Sequence, residues 1–408
     1  MGYCMILRAK YVMPDSHTVI ENGAVAVQGS KIVDIGLYPT VRSSGISPTH
    51  DLGEAVLTPG LVNAHTHLDL TNSADSIQRV PKFTDWIFQI IGKRTPSTVG
   101  PSVREGVQQS LAGGVTTVGD IDGTGGSAQI LRDIPIRKVV FFEVLGFSGE
   151  HAAMGLTRLR AYVDSPPAPD SLLTSALSPH APYSTSAEIY RQCVASGVSV
   201  CTHIAETKDE LEFLSSGTGA FLDYLEAFGI STAEWVSPQL TPTEYMETLG
   251  VLRTGSLLVH CNYLTDADVT TLAESGASVV FCPRSHHYFY HTNHPVVQLI
   301  ESGINVAIGT DSLASNWSLS LLDELKFLAR TQPCIRPETL FDMVTCNGTK
   351  ALGLEQIGRL EKGWQADIIA VQIPNDSRPA IEQIFDRSSE NLLTVVGGQV
   401  CYTSNHWG

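Results

Sequence analysis

The chain has 408 residues, 43% of them hydrophobic and 17% charged, which is the make-up of a folded protein and not of a disordered one. A formal charge of −16 argues against a nucleic-acid backbone or an anionic membrane as the main partner, and leaves a small molecule as the expected one. No basic stretch leads into an apolar signal core, and no apolar run approaches the roughly 18 residues of a membrane span, so a cytoplasmic protein is expected.

In chain order, residues 5–12, 23–28 and 31–36 alternate in the manner of short strands punctuated by Gly and Asn. A matching β-rich set returns at 366–372 and 392–401. Residues 1–57 and 355–408 are therefore expected to build one composite β-sandwich domain around a central domain of residues 58–354. That middle part alternates strand-like and helix-like segments, the pattern of a parallel α/β fold. Eight apolar strand candidates cover 56–67, 116–121, 138–145, 172–177, 198–203, 257–260, 278–282 and 305–310. Helical stretches lie between most of them, among them 103–112, 187–196, 266–275 and 294–302. Eight strands over about 250 residues fit a (β/α)8 TIM-like barrel. A doubly wound sheet would lack its Gly-x-Gly-x-x-Gly turn here.

The ionisable residues fall where such a barrel carries its chemistry, at the C-terminal ends of strands. The first strand ends in His65-Thr-His67, two imidazoles on one face of the chain. Taken alone, that pair is as well explained by surface histidines. The fifth strand ends in His203-Ile-Ala-Glu206, the sixth in His260 and the eighth in Gly309-Thr-Asp311. Four strands delivering His or Asp to one edge have no structural explanation, because buried ionisable groups cost several kcal/mol unless paired or metal-bound. The eight cysteines stand singly and include no Cys-x-x-Cys, so neither a zinc ribbon nor a dithiol motif is supported.

Pro59-Gly-Leu-Val-Asn-Ala-His-Thr-His67, His203-x-x-Glu206, His260 and Gly309-Thr-Asp311, with Gly363-Trp-Gln-Ala-Asp-Ile-Ile near the C-terminus, resemble the amidohydrolase superfamily over essentially the whole chain. Within it, Ser178-Pro-His180-Ala-Pro-Tyr183 and Asp311-Ser-Leu-Ala-Ser-Asn316 resemble the branch of cytosine, guanine, S-adenosylhomocysteine and aminodeoxyfutalosine deaminases and triazine chlorohydrolases. The resemblance implies a metal held by His65, His67, His203 and Asp311. Binuclear members use a lysine at the end of strand four, and 172–180 contains none, so one divalent ion is expected, zinc first and iron second. It further implies that Asp311 accepts a proton from the attacking water and that His260 orients that water. Glu206 would protonate the substrate ring and the departing ammonia. By itself Glu206 also reads as a carboxylate at a helix N-terminus.

Four residues are expected to contact substrate, three of them with a structural alternative. His180 is a substrate contact or a loop histidine. Trp86 stacks on a flat base or packs a helix. Arg284 holds a carboxylate or ribose, or pairs with a neighbouring acid. Asn316 belongs to the branch pattern and completes the set. Relatives usually carry Asn where His286 stands, which puts that contact in doubt.

The expected activity is hydrolytic deamination of an amino-heterocycle, an adenosine-type nucleoside such as aminodeoxyfutalosine foremost, by a homodimer. Cyclic-amide hydrolysis or dechlorination at the same metal site is the alternative, and a non-catalytic ligand-binding barrel a remoter one.

Overall fold

The computed structural model describes residues 4–405 apart from Asn375. Sixteen strands form two sheets among the described residues. The barrel sheet contains β6 (Leu61–Thr66), β7 (Val115–Asp122), β8 (Arg137–Val144), β9 (Leu173–Pro179), β10 (Val200–Ile204), β11 (Ser256–His260), β12 (Ser278–Phe281) and β13 (Asn305–Ile308), paired parallel in sequence order. With helices between them, they make the (β/α)8 barrel. Strands covered on both faces read as continuous apolar runs, and every residue of β6, β7 and β8 is buried.

The second sheet contains β1 (Cys4–Val12), β2 (Ile20–Gln28), β3 (Lys31–Leu37), β4 (Thr49–Asp51), β5 (Ala55–Pro59), β14 (Ile368–Gln372), β15 (Glu390–Val396) and β16 (Gln399–Thr403). Its order is β16-β15-β14-β5-β1-β2-β3, with β4 on β1, so strands from both ends of the chain build one β-sandwich unit. β14 lies antiparallel to β5, matching Ile368 to Pro59 and Gln372 to Ala55.

Two expected strands divide. The run 56–67 is two strands in different sheets, β5 and β6, separated only by Gly60. A Cβ at Gly60 would lie 2.2 Å from the Thr116 side chain, so the crossing between sheets needs glycine. The run 392–401 is likewise a hairpin, β15 and β16, turning at 397–398. Of the helices, 266–275 forms as expected; 187–196 ends one residue earlier, at Ala195. The helix expected from 103 begins at Pro96, and its internal Pro101 hid the first turns. The one expected at 294–302 covers only Val296–Glu301, because Pro295 caps it.

The barrel closes between its first and last strands. Asn63 Nδ2 donates to Thr310 Oγ1 at 2.8 Å, its Oδ1 accepts from Thr310 N at 3.1 Å, and Asp311 N donates to the His65 carbonyl at 3.1 Å. Between the two sheets, buried Arg137 at the start of β8 forks onto Asp367, Nε to Oδ2 at 2.8 Å and Nη2 to Oδ1 at 3.3 Å. No described helix is long and apolar enough to cross a membrane.

Candidate active site

The strand ends deliver their side chains to one point. His65 is the penultimate residue of β6 and His67 follows the strand, His203 lies on β10, His260 ends β11, and Asp311 stands three residues beyond β13. The rings of His65 and His67 are 4.9 Å apart, those of His65 and His203 5.0 Å, and those of His67 and His203 5.5 Å. Asp311 Oδ1 lies 3.8 Å from His65 Nε2 and 3.7 Å from His67 Nε2. Its Oδ2 is turned away and accepts from Ser285 Oγ at 2.6 Å and Ser315 Oγ at 2.8 Å. Asp311 (φ 58°) and His260 (φ 73°) both sit in left-handed backbone, a conformation that clusters at functional sites.

Burial fixes the protonation states. It holds His67 and His203 well below the usual imidazole range, with the neighbouring histidines adding to the effect, and lowers His260 to about 3. Each therefore keeps one unprotonated ring nitrogen at neutral pH. Burial would raise Asp311, but contact with His65 and the other histidines outweighs it and keeps the group ionised. Glu206 moves the opposite way: burial, then the charges of Asp311 and Glu210, push it well above the usual carboxylate range. Glu206 Oε1 lies 3.3 Å from His260 Nε2, a contact between a neutral acid and a neutral base.

The donor set fits a divalent metal. Both ring nitrogens of His65 are buried without a hydrogen-bond partner, a costly arrangement unless something else binds there. His203 donates from Nδ1 to the His180 carbonyl at 2.9 Å, which fixes its tautomer and leaves Nε2 as a ligand atom. His67 accepts at Nδ1 from Arg94 Nη2 at 3.1 Å, since a guanidinium only donates; ligation through its Nε2 requires that contact to loosen. Three imidazoles and one carboxylate suit zinc or iron.

Above this cluster opens a cavity of about 660 Å³. His67, His203, Glu206, His260 and Asp311 form its floor. The helix Phe83–Ile91 forms an apolar wall, presenting Phe83, Trp86, Ile87, Ile90 and Ile91 at helical spacing. His180 and Trp86 both line the cavity. His180 is held through Nδ1 by Ser184 Oγ at 2.6 Å, and the Trp86 indole donates to the Ala314 carbonyl at 3.2 Å.

Arg284 and Asn316, expected as substrate contacts, do not line the cavity. Arg284 Nε donates to Glu324 Oε1 at 2.9 Å, and Asn316 Nδ2 donates to the same oxygen at 2.8 Å and to the Thr310 carbonyl at 2.7 Å. They form a buried network that braces the segment after β13. The His286–His287 pair opens instead onto a neighbouring cavity of about 620 Å³, with His291 and His294.

Two charged cavity residues were missed by sequence reasoning. Arg94 and Glu143 pair at 3.3 Å on the wall beside His180, with Asp69 behind Arg94 at 3.1 Å. Glu143 had a signal, a lone acid inside the apolar run Val139-Val-Phe-Phe-Glu-Val144. Arg94 had none.

A closed parallel barrel with imidazoles and an aspartate gathered at the C-terminal ends of its strands is the frame of a metal-dependent hydrolase. The sequence pattern of the amidohydrolase family matches residues 56–401, and the chain belongs to that family. It is 28% identical to a 5-methylthioadenosine/S-adenosylhomocysteine deaminase of Nitratidesulfovibrio vulgaris, over 97% of this chain and 91% of that one. It is 27% identical to a 5'-deoxyadenosine deaminase of Methanothrix thermoacetophila, over 98% and 92%. The fold is shared with the crystal structure of an adenosine deaminase from Xanthomonas campestris with bound zinc, at a TM-score of 0.82, 24% identity, and coverage of 99% of this chain and 95% of that one.

Proposed function

We propose that the protein is a zinc-dependent hydrolytic deaminase of an adenosine-type nucleoside, converting an exocyclic amino group to an oxo group and releasing ammonia. The observation that carries this reading is the buried Glu206 carboxyl, 3.3 Å from His260 at the edge of the metal donor set, where burial raises its pKa well above the usual carboxylate range. Displacing ammonia from a heterocycle needs an acid at that point, which a simple metal-binding barrel does not. The names of the two relatives aligned over nearly the whole chain support an adenosine-type substrate. The apolar wall around Trp86 suits a flat ring.

His65, His67, His203 and Asp311 would hold the ion, which when bound lowers the pKa of water and so supplies the nucleophile at neutral pH. Asp311 accepts the proton of the attacking water through Oδ1, while its Oδ2 stays fixed by the two serine hydroxyls. His260 orients the water and stabilises the charge that develops on the attacking oxygen. Glu206 gives its proton to the ring nitrogen next to the carbon under attack. Now ionised, it takes the proton left on the added hydroxyl and delivers it to the departing amine, and the proton held by Asp311 returns to Glu206 to close the cycle.

The test is ammonia release from a panel of adenosine-like nucleosides, free amino-bases and halogenated triazines, with metal content measured in parallel. Ammonia from the nucleosides by wild type, with collapse of turnover and intact metal content in Glu206→Gln, is expected. Chloride release from the triazines without ammonia would overturn deamination in favour of a halide-displacing hydrolase. Loss of metal from Glu206→Gln would make Glu206 a ligand and remove its role as acid.

A further inference from the structure

Glu206 sits on irregular backbone. Ala205 before it has φ 48°, and Cys261, which faces it from the end of β11, has φ 52°. Residues with a Cβ hold such conformations only where their surroundings over-determine them. Here two residues do so. Glu210 accepts from Ala205 N at Oε1 and from Glu206 N at Oε2, each at 2.9 Å. On the opposite side, Asn262 N donates to the Ala205 carbonyl and Asn262 Nδ2 to the Glu206 carbonyl, again at 2.9 Å each. Glu210 thus takes both N–H groups of the pair, and Asn262 both carbonyls.

This goes beyond an ordinary helix cap. Glu210 is the third residue of the helix Lys208–Ser216, whose N-cap is Thr207. In a capping box the carboxylate at that position returns to the N–H of the N-cap itself. Glu210 keeps the Thr207 N–H among its donors but makes its two 2.9 Å bonds to the residues before it. It is fully buried, and burial pushes its pKa up to about 7 against the pull of those backbone donors. A carboxylate kept at such expense needs a reason beyond ending a helix, which the Thr207 hydroxyl already caps at 3.2 Å. Asn262 is equally committed: it is 4% exposed, and its Oδ1 has no partner, so the side chain is placed for its donor alone. Neither residue lines the cavity.

We infer that Glu210 and Asn262 are positioning residues, a two-sided backbone clamp that holds the Glu206 carboxyl against His260 and over the metal donor set. This rests on Glu206 being the proton donor proposed above. The clamp acts only through Glu206, so its effect must vanish when Glu206 can no longer transfer a proton.

The experiment has two arms. In the kinetic arm, Glu210→Gln and Asn262→Ala are made alone and in a Glu206→Gln background. Each single change is expected to lower kcat by about 10²-fold, the cost of misplacing a catalytic group by roughly 1 Å. KM and metal content are expected to stay near wild type, and neither change to slow Glu206→Gln further. Independent, multiplicative losses in that background would overturn the clamp, as would an unchanged kcat. The second arm needs no substrate: hydrogen exchange at Ala205 and Glu206 is expected to accelerate in Glu210→Gln while the other barrel amides keep their protection. Retained protection at both amides, or loss of protection throughout the barrel, would overturn it. Wild-type protein silent on every nucleoside would sink the reaction reading, and the exchange arm would still decide the clamp.

Discussion

Asp311 divides its carboxylate between two tasks. Ser285 and Ser315 saturate Oδ2, while Oδ1, held by Ser312 N at 2.7 Å, faces the histidines. Asp311→Asn weakens a ligand and removes a base together, so turnover should fall below detection and metal content should drop. Near-normal turnover would remove Asp311 from the site. His294 predicts a pH effect. Its Nε2 donates to the His260 carbonyl at 2.9 Å, and burial lowers it from 6.5 to about 4. The folded protein keeps it neutral where the unfolded chain protonates it. Its contribution is thus complete above pH 6.5 and is lost as pH falls toward 4, at a cost of about 3–4 kcal/mol, or about 1.4 kcal/mol per unit. His286 and His291, lowered to about 2 and about 4, act in the same direction. Urea midpoints should fall between pH 7 and pH 5, and His294→Gln should flatten that fall; an identical slope would rule His294 out as a source. The histidines and Asp311 were legible because strand ends in a barrel converge. The serines on Asp311 and the Glu210–Asn262 clamp were not, because they lie 4 to 56 residues in sequence from the residues they hold and carry no pattern of their own.

At the scale of elements, the site depends on how closely β13 passes β6. A Cβ on Gly309 would stand 2.8 Å from both Cβ and O of His65, so Gly309→Ala has to push the first ligand off its position. Metal affinity should drop by about 10–100-fold, the usual cost of disturbing a ligand's support. Titration against a chelator measures it; an unchanged affinity would mean that the strand ends can part without moving the ligand. The strand pattern was readable because parallel strands are apolar throughout. The break at Gly60 was not, since β5 and β6 are equally buried and the change of sheet is set by Thr116, a residue on β7. The wall helix Phe83–Ile91 shows how an apolar stripe misleads: Trp86 was read as either base-stacking or packing, and it lines the cavity while also stacking on Phe83, ring centres 5.6 Å apart.

Across the whole molecule, the Arg137–Asp367 fork joins the barrel to the sheet built from the two ends. Asp367 Oδ1 also accepts from Gly397 N at 2.7 Å, and the Asp367 carbonyl accepts from Gly60 N at 2.9 Å. Asp367→Asn leaves a buried guanidinium poorly paired and should cost about 3–5 kcal/mol, while Arg137→Met with Asp367→Leu together should recover most of it. Chemical denaturation of the three variants checks this; a pair no more stable than the single change would show that the fork is not the interaction being lost. That both ends build one sheet was visible in the two β-rich terminal segments. Which strands meet was not, because the register of β14 on β5 is set more than 300 residues apart. That pairing has a consequence for the growing chain on the ribosome. β5 is made early, yet its partner β14 emerges only after the entire barrel has been translated. Until then the nascent protein carries an open strand edge of sequence Ala55-Val-Leu-Thr-Pro59, available to any other unfinished copy. Slow translation through the barrel should therefore reduce soluble yield more than it reduces the stability of molecules that finish.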